Sequence, residues 1–209
     1  MRLISAIYDD FWPFDRTGLF NSFISTIDPD TLMAGDVLIV WGGQDISPSL
    51  YNKQTSAKTG ADPFPSRRDR IEWGLMQRAK ELGLPIIGIC RGAQMLCALA
   101  GGYLMQHVTG HGGYHSVITP SGESFVTNSL HHQMMVPGNT AHEILAQIPP
   151  DSLRSKEYWD ENTTVDHNQE PEFIYFNEVK GFAVQWHPEM LSKIDDGTNY
   201  IFKQLKERI

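Results

Sequence analysis

The sequence predicts an α/β fold in which a mostly parallel sheet is covered by helices on both faces. In the first half of the chain, short apolar runs alternate with helical patterns, a rhythm typical of βαβ units and parallel strands. Beyond residue 102 the runs become shorter and follow one another closely, which predicts an added antiparallel portion. The 209 residues are enough for one well-buried domain and few for two, so we expect a single domain over residues 1–209.

Three apolar runs in the first half are predicted to be buried strands: Leu3 to Tyr8, Val37 to Trp41 and Pro85 to Ile89. Residues 67–82 carry apolar side chains at a 3.6-residue spacing, which predicts an amphipathic helix, and a second helix is expected over residues 93–100. In parallel sheets, ligands bind beyond the carboxyl ends of the strands. The Gly42-Gly43 pair and Cys90 follow two of these strands, so both fall where a site is expected.

The antiparallel portion is expected from short runs at residues 115–119, 125–127, 142–146, 173–176 and 182–186. A final amphipathic helix is expected over residues 199–208. Residues 54–65 and 151–172 are polar and contain helix breakers, which predicts loops at the rim of the site. The aromatic side chains of Trp12 and Trp159, which belong to no motif, either bind a ring of the substrate or close this rim.

Composition and charge exclude several classes of function. The formal net charge of −8 argues against a nucleic-acid partner, because binding to phosphates needs clustered Lys and Arg. No apolar run approaches the ~20 residues that cross a bilayer, and the N-terminal run ends in acids, so neither a membrane span nor an export signal is expected. Cys90 and Cys97 lie two helical turns apart, roughly 10 Å, which is too far for a disulfide. These features together predict a cytoplasmic protein.

The strongest chemical signal is Gly88-Ile89-Cys90-Arg91-Gly92, a G-x-C-x-G pattern between a predicted strand and a predicted helix. This is the thiol counterpart of the serine elbow of hydrolases, in which glycines make room for a sharp turn. The turn places the thiol at a helix N-terminus, where the helix dipole favours the thiolate. A buried structural cysteine is the alternative. The flanking glycines favour Cys90 as a nucleophile.

A nucleophilic cysteine needs a base that accepts its proton and later protonates the leaving amine. His187 ends an apolar run, and Glu189 lies two residues further, on the same side of an extended chain. Such spacing lets a carboxylate orient the imidazole, the third role in a catalytic triad. By itself the pattern would favour an ordinary strand-end histidine beside a solvated glutamate. Together with the elbow it predicts a triad of Cys90, His187 and Glu189.

A tetrahedral intermediate also needs two donors directed at its oxyanion. One is expected to be the backbone N–H of Arg91, which follows the nucleophile. The second is expected from the Gly42-Gly43 turn, because glycine lets a backbone N–H approach a substrate closely. A tight turn without this function is the alternative interpretation.

With these motifs in hand, the chain resembles class I glutamine amidotransferases, and within them the γ-glutamyl hydrolase and γ-glutamyl-γ-aminobutyrate hydrolase branch. The likeness is carried by four segments in family order: residues 41–51, 68–102, 128–133 and 184–189. It implies a three-layer, flavodoxin-like sandwich, the triad named above, and oxyanion donors at Gly43 and Arg91. It further implies substrate-binding roles for Gln94, His131, Gln133 and Met134. No cofactor is expected.

The predicted function is therefore hydrolysis of the γ-glutamyl amide bond of a γ-glutamyl amine or glutamine, through a γ-glutamyl thioester, with release of glutamate. Two alternatives stay open. One is a glutaminase subunit that supplies ammonia to a synthetase. The synthetase would have to be a separate partner, because this chain has no ATP-binding P-loop. The other is a non-enzymatic relative that acts as a chaperone or redox sensor. The sequence leaves open the identity of the amine and whether the protein forms homo-oligomers.

Several histidines raise the question of a metal site. His107, His111 and His115 have the spacing of ligands on one helix, and His131 and His132 follow. Glycines at 110, 112 and 113 disfavour a helix there, and no acidic or cysteine set accompanies these histidines in the sequence. We therefore expect no metal site.

Overall fold

The computed structural model describes residues 1–209. Its strands are β1 (Arg2–Ala6), β2 (Ser22–Thr26), β3 (Asp36–Val40), β4 (Ile86–Ile89), β5 (Tyr103–Met105), β6 (His107–Val108), β7 (Gly112–Ile118), β8 (Ser124–Leu130), β9 (Met134–Val136), β10 (His142–Gln147), β11 (Tyr158–Asp160), β12 (Thr163–Thr164), β13 (Pro171–Phe176) and β14 (Gly181–Val184). Its helices are α1 (Arg67–Glu81), α2 (Arg91–Ala100) and α3 (Asp196–Arg208).

One nine-stranded sheet, in the order β2-β1-β3-β4-β14-β13-β10-β7-β8, forms the centre of the molecule. The strands β2, β1, β3, β4 and β14 run parallel, and the pairs from β14 through β13, β10 and β7 to β8 are antiparallel. Two small sheets, β12-β11-β6 and β5-β9, lie beside it. The predicted α/β architecture with an added antiparallel portion is confirmed.

Helices cover the sheet on both faces. Leu75 of α1 and Leu96 of α2 pack in one apolar cluster with Leu38, whereas Leu205 of α3 packs in a second cluster with Ile39. Since successive residues of β3 point to opposite faces, this division makes three layers. None of the three helices is long and apolar enough to cross a membrane.

The helix starts follow from local capping. The Ser66 side chain accepts a hydrogen bond from the N–H of Asp69, and the Asp69 carboxylate accepts one from the N–H of Ser66, a capping box that starts α1 where the periodicity predicted it. Asp195 caps α3 by accepting from the N–H of Thr198, so this helix begins three residues before the predicted boundary at 199.

The structure differs from the sequence expectation in residues 151–172. This segment was expected to be a loop, but it contains β11 and β12 and the first residues of β13. The strands β11 and β12 are too short and too polar to show an alternating pattern, and they form by pairing with β6 and with each other. Residues 54–65 contain neither helix nor strand, as expected. Both cysteines are free, as expected.

Candidate active site

Cys90 occupies a sharp turn between β4 and α2. Its backbone has φ 49° and ψ −104°, a conformation that L-residues adopt only when the surrounding structure enforces it. The Cys90 N–H donates to the carbonyl oxygen of Val184 at 2.7 Å, which ties the turn to β14. A methyl group on Gly88 would collide with the backbone of Gly92, and one on Gly92 would collide with the carbonyl of Val40. The two glycines of the pattern therefore permit the turn.

His187 reaches the same place from the carboxyl end of β14. Its Nδ1 lies 2.6 Å from Oε1 of Glu189. A Cβ on Gly42 would lie 2.6 Å from Cε1 of His187 and 3.6 Å from Cβ of Cys90. The missing side chain of Gly42 thus leaves room for imidazole and thiol to approach each other.

The surroundings of His187 favour its protonated form. Burial lowers the pKa of this imidazole, but hydrogen bonds with Cys90 and with Glu189 outweigh burial and raise the pKa of His187 to about 10. A protonated imidazole beside a sulfur stabilises a thiolate. The arrangement therefore places an imidazole that keeps its proton beside the sulfur of Cys90.

Asn128 holds the backbone of His187, and sequence reasoning gave it no role. Its side-chain Nδ2 donates to the carbonyl oxygen of His187 at 2.8 Å, and its Oδ1 accepts from the N–H of His187 at 3.0 Å. Asn128 lies on β8, at the far edge of the sheet from β4 in strand order. The sequence showed that Asn128 belongs to the motif of residues 128–133, but it did not show that Asn128 binds the backbone of His187.

A cavity of about 510 Å³ opens beside Cys90. We call it the cysteine cavity; its lining residues are Gly43, Gln44, Asp45, Gly60, Cys90, Gln94, Leu130, His131 and His132. Among the residues that the resemblance implies for substrate binding, Gln94 and His131 lie here. The Gly43 turn lines this cavity together with Cys90, and Arg91, which follows Cys90, is the first residue of α2.

Two other implied residues are not at this cavity. The Gln133 side chain is fully buried and donates from Nε2 to Oγ1 of Thr59 at 2.9 Å, so it holds the 54–65 loop. Met134 is fully buried in a separate apolar cluster with Met105 and Val108. The structure places neither side chain among the cavity's lining residues. The carbonyl of Gln133 does accept from Nε2 of Gln94 at 3.3 Å, and in this way it orients a residue that lines the cavity.

An ion pair between Asp45 and His132 borders the cysteine cavity. Nε2 of His132 lies 3.0 Å from Oδ2 of Asp45, which also accepts from the N–H of Gly60 at 2.8 Å. Burial raises the pKa of Asp45, but hydrogen bonds with His132 and Gly60 lower it overall. The hydrogen bond with Asp45 raises the pKa of His132. Both residues lie inside motifs visible in the sequence, although their pairing joins segments far apart in the chain.

A second cavity, of about 280 Å³, opens on the other side of the imidazole. We call it the histidine cavity; its lining residues are Tyr8, Asp10, Trp41, Gly42, Gly43, His187, Glu189 and Met190. Both cavities share Gly43. Cys90 lines the cysteine cavity, and His187 lines the histidine cavity.

The start of α1 holds the Gly42-Gly43 turn. Arg68 donates from Nη2 to the carbonyl oxygen of Gly42 at 2.9 Å and pairs through Nε with Glu72 at 3.0 Å. Arg91, which is 2% exposed, lies between Glu72 and Asp69 and contacts both carboxylates. These four charges connect α1 to the elbow helix and to the turn.

The two rim segments contact each other directly. Lys53, just before the 54–65 loop, pairs with Asp160 of β11 at 2.8 Å. Nζ of Lys58 lies 3.9 Å from the centre of the Trp159 ring, a cation–π contact. Nε1 of Trp12 donates to the carbonyl oxygen of Leu191 at 2.8 Å. Both tryptophans therefore have partners within the chain.

Comparison with known proteins finds a matching family model, sequence relatives and solved structures with a similar fold. The sequence model of the Peptidase C26 family matches residues 26–189. A protein of Lactococcus lactis named "Putative glutamine amidotransferase-like protein YvdE" is 26% identical over 91% of this chain and 78% of its own length. The gamma-glutamyl-CDP-amidate hydrolase of Campylobacter jejuni is 33% identical over 46% of this chain and 42% of its own.

A solved structure shares the fold. It is described as a "putative gmp synthase subunit a protein" from Thermoplasma acidophilum, with a TM-score of 0.62 at 15% identity, covering 99% of this chain and 96% of its own. At this identity the likeness concerns the fold alone. The resemblance to class I glutamine amidotransferases expected from the sequence is confirmed.

Proposed function

This chain belongs to the Peptidase C26 family, and we propose that it is a cysteine-dependent hydrolase of γ-glutamyl amide bonds. That the chain is an enzyme of glutamine amidotransferase and peptidase C26 type rests on the family match and on the named relatives. The proposal of cysteine-dependent hydrolysis rests on one observation: Cys90, on its strained turn, lies beside the hydrogen-bonded pair of His187 and Glu189.

The proposed reaction is acyl transfer. The Cys90 thiolate attacks the γ-carbonyl carbon of the substrate, and backbone N–H groups of Gly43 and Arg91 stabilise the oxyanion that forms. The carbon–nitrogen bond then breaks as His187 gives its proton to the departing amine. Water, deprotonated by His187, attacks the γ-glutamyl thioester, the carbon–sulfur bond breaks, and glutamate leaves while the Cys90 thiolate and the protonated His187 are restored.

The cysteine cavity suits the glutamyl half of the substrate. An α-amino acid has one cationic and one anionic group, and the cavity offers the carboxylate of Asp45 and the imidazole of His132. The Gln94 amide adds a group that can fix the orientation, and the His131 ring forms part of the cavity wall. The histidine cavity lies next to the imidazole that protonates the leaving group, so we place the amine there.

The test combines an activity screen with labelling. Free glutamate is measured after incubation with glutamine and with a panel of γ-glutamyl amides, and 6-diazo-5-oxo-norleucine is used as a glutamine-like electrophile. We expect glutamate release and a single modified peptide that contains Cys90. The Cys90→Ser variant should lose both, whereas Cys97→Ala, which changes a fully buried thiol, should keep both. Labelling of folded protein at any other residue would refute the assignment.

A glutaminase subunit is the second candidate, because the Thermoplasma protein that shares the fold is described as a synthase subunit. That role predicts hydrolysis of free glutamine with no preference for γ-glutamyl amines. It also predicts that a synthetase partner raises this activity. A preference for a substituted γ-glutamyl amide in the isolated protein would decide for the stand-alone hydrolase.

A further inference from the structure

A cluster of buried histidines and glutamates lies behind the cysteine cavity, and the proposed reaction does not use most of it. We call it the histidine cluster; it consists of His111, His115, His131, Glu170 and Glu172. All five residues are buried, and both glutamates are fully so. They come from three places in the chain: the start of β7, the end of β8 and the start of β13.

Three imidazole nitrogens converge on one carboxylate oxygen. Oε1 of Glu172 lies 3.2 Å from Nδ1 of His111, 3.4 Å from Nε2 of His115 and 3.2 Å from Nε2 of His131. A carboxylate oxygen accepts roughly two hydrogen bonds, so it cannot satisfy three donors. The other oxygen, Oε2 of Glu172, is buried and has no hydrogen-bond partner.

The nitrogens themselves lack partners. Neither ring nitrogen of His111 and neither of His115 makes a hydrogen bond, although both side chains are 0–1% exposed. They lie within ion-pair distance of Glu172, but their rings do not align with it as hydrogen-bond donors. Leaving such groups buried and unpaired is costly, and the cost falls if a cation between them binds their lone pairs.

His131 shows the same conflict. Its Nδ1 lies 2.8 Å from the carbonyl oxygen of Gln133, and a carbonyl can only accept, so Nδ1 carries the proton. In the neutral ring, Nε2 then presents a lone pair towards the Glu172 carboxylate. Two acceptors face each other there unless a proton or a metal ion lies between them.

We propose that His111, His115 and Glu172 bind a divalent transition-metal ion of the zinc type, with Nε2 of His131 facing the fourth position. Ligand atoms about 2.1 Å from a tetrahedral zinc ion are separated by about 3.4 Å. The distances from Glu172 to the two histidines, 3.2 and 3.4 Å, match this separation. The three candidate ligand atoms lie within 4.8 Å of one another. Two imidazoles and a carboxylate form a donor set that suits zinc.

The surroundings of the three ligands complete the site. Nε2 of His111 lies 3.5 Å from Oε1 of Glu170, and a carboxylate behind a metal-bound histidine is the usual arrangement that orients the ring. Glu170 is itself held by the N–H groups of Arg154 and Ser155, each at 2.8 Å. His131 lines the cysteine cavity, so the ion would also fix one wall of that cavity.

The expectation of no metal site rested on the glycines that disfavour a helix and on the lack of an accompanying acidic or cysteine set in the sequence. The structure places His115 on strand β7 and His111 directly before that strand, with the two ring centroids 5.5 Å apart. The acidic ligand comes from Glu172, more than fifty residues away in the sequence.

The test measures metal content rather than activity. Protein without a histidine tag is stripped with a chelator, incubated with one equivalent of Zn²⁺, passed through gel filtration and analysed by plasma mass spectrometry. We expect one zinc per chain in the wild type and in Cys90→Ser, which removes any site at the thiol. We expect the zinc to be lost in His115→Gln and Glu172→Gln. The half-buried His142, outside the cluster, provides the matched control His142→Gln, which should keep its zinc.

Two results would overturn the proposal. One is the absence of stoichiometric zinc in wild-type protein that circular dichroism shows to be folded. The other is zinc binding that persists in His115→Gln or disappears in Cys90→Ser. If the cluster variants do not fold, Co²⁺ titration of the wild type decides: intense visible bands of a low-coordinate nitrogen–oxygen site are expected, and only the weak spectrum of hydrated Co²⁺ would refute it. If the histidine cluster binds no metal, protons rather than a metal ion lie between its imidazoles and carboxylates.

Discussion

At the scale of single residues, the proposed chemistry depends on how His187 is held. Two features of its surroundings matter: the carboxylate of Glu189 on Nδ1, and Asn128 on the backbone. The Glu189 carboxylate favours the protonated ring, and Asn128 fixes the position of the His187 backbone. They can be separated by experiment, because one acts on the pH dependence of turnover and the other on its rate.

The variant Glu189→Gln should move the pH profile. The pKa of His187 is raised to about 10, so the ring keeps its proton below that pH and loses it above, and kcat/KM should fall as the pH rises through this value. Without the Glu189 charge, the pKa falls towards its ordinary value of 6.5, and the alkaline limb should move to lower pH. The measurement is kcat/KM against pH for both proteins, with the exposed Glu178→Gln as control.

The same shift has a consequence for stability. Because the folded-state pKa of His187 lies above the unfolded value, its contribution to stability is complete below about pH 6.5 and is lost as the pH rises to about 10. Glu189→Gln should flatten this part of the curve of unfolding free energy against pH. An alkaline limb and a stability curve that are both identical in Glu189→Gln and wild type would contradict the role given to Glu189.

The variant Asn128→Ala should lower turnover without removing the nucleophile. Two hydrogen bonds to the His187 backbone disappear, so the imidazole loses its fixed position, and kcat should fall about 10- to 100-fold with little change in KM. The rate of Cys90 labelling by the electrophile should fall in parallel. The control is Asn199→Ala, an exposed asparagine on α3. A change confined to thermal stability, with kcat unchanged, would reduce Asn128 to a packing role.

At the scale of elements, helix α1 holds the site from outside the sheet. The G-x-C-x-G pattern predicted the elbow, because steric collision at Gly88 and Gly92 is a local property of the sequence. The periodicity of residues 67–82 predicted α1, but it did not predict which charged side chains of that helix are buried. Arg67 and Arg70 are exposed, as a solvated helix start requires, whereas Arg68 reaches the Gly42 carbonyl. Which charges become buried depends on the packing of α1 against α2.

The variant Glu72→Gln should destabilise the fold. It removes one of two carboxylates that neutralise the buried Arg91, and breaking a buried pair costs about 3 kcal/mol, at the lower end of the usual range because Asp69 stays in contact. Urea unfolding of the two proteins gives this difference. Glu81→Gln, which breaks the exposed pair with Arg78, should change stability by less than about 1 kcal/mol. Equal losses of unfolding free energy in Glu72→Gln and Glu81→Gln would show that burial of the ion pairs around Arg91 does not increase their contribution to stability.

At the scale of the whole molecule, the site joins the two halves of the sheet. Of the parallel half, β1, β3 and β4 were predicted from their apolar runs, whereas β2 was not. The run at residues 182–186 was expected in the antiparallel portion, but β14 runs parallel to β4. The antiparallel half supplies Asn128 and Glu172, and their positions depend on strand order and register, which no local pattern reveals. The pairing of Asp45 with His132 escaped prediction for the same reason, since 87 positions separate the two residues.

The rim of the cysteine cavity offers a test at this scale. Lys53 and Asp160 are 107 positions apart and pair at 2.8 Å with both side chains partly buried, and the N–H of Gln54 donates to Oε1 of Glu161 at 2.8 Å. These contacts hold the start of the 54–65 loop near β11, while Gly60, in the middle of that loop, donates its N–H to Asp45 at the cavity wall. A single exposed pair would contribute little, but this one closes a loop, and opening the loop exposes backbone to proteases.

Asp160→Ala should therefore loosen the loop without disturbing the triad. We expect faster tryptic cleavage after Lys53 and Lys58 and a KM raised several-fold, because the Gly60 wall of the cavity becomes mobile, while kcat stays near the wild-type value. The readouts are limited proteolysis with mass spectrometry and steady-state kinetics. Asp151→Ala removes an exposed carboxylate from the same long segment and should change neither. If Asp160→Ala lowered kcat and left cleavage unchanged, the rim would act on the chemistry directly rather than on access to the cavity.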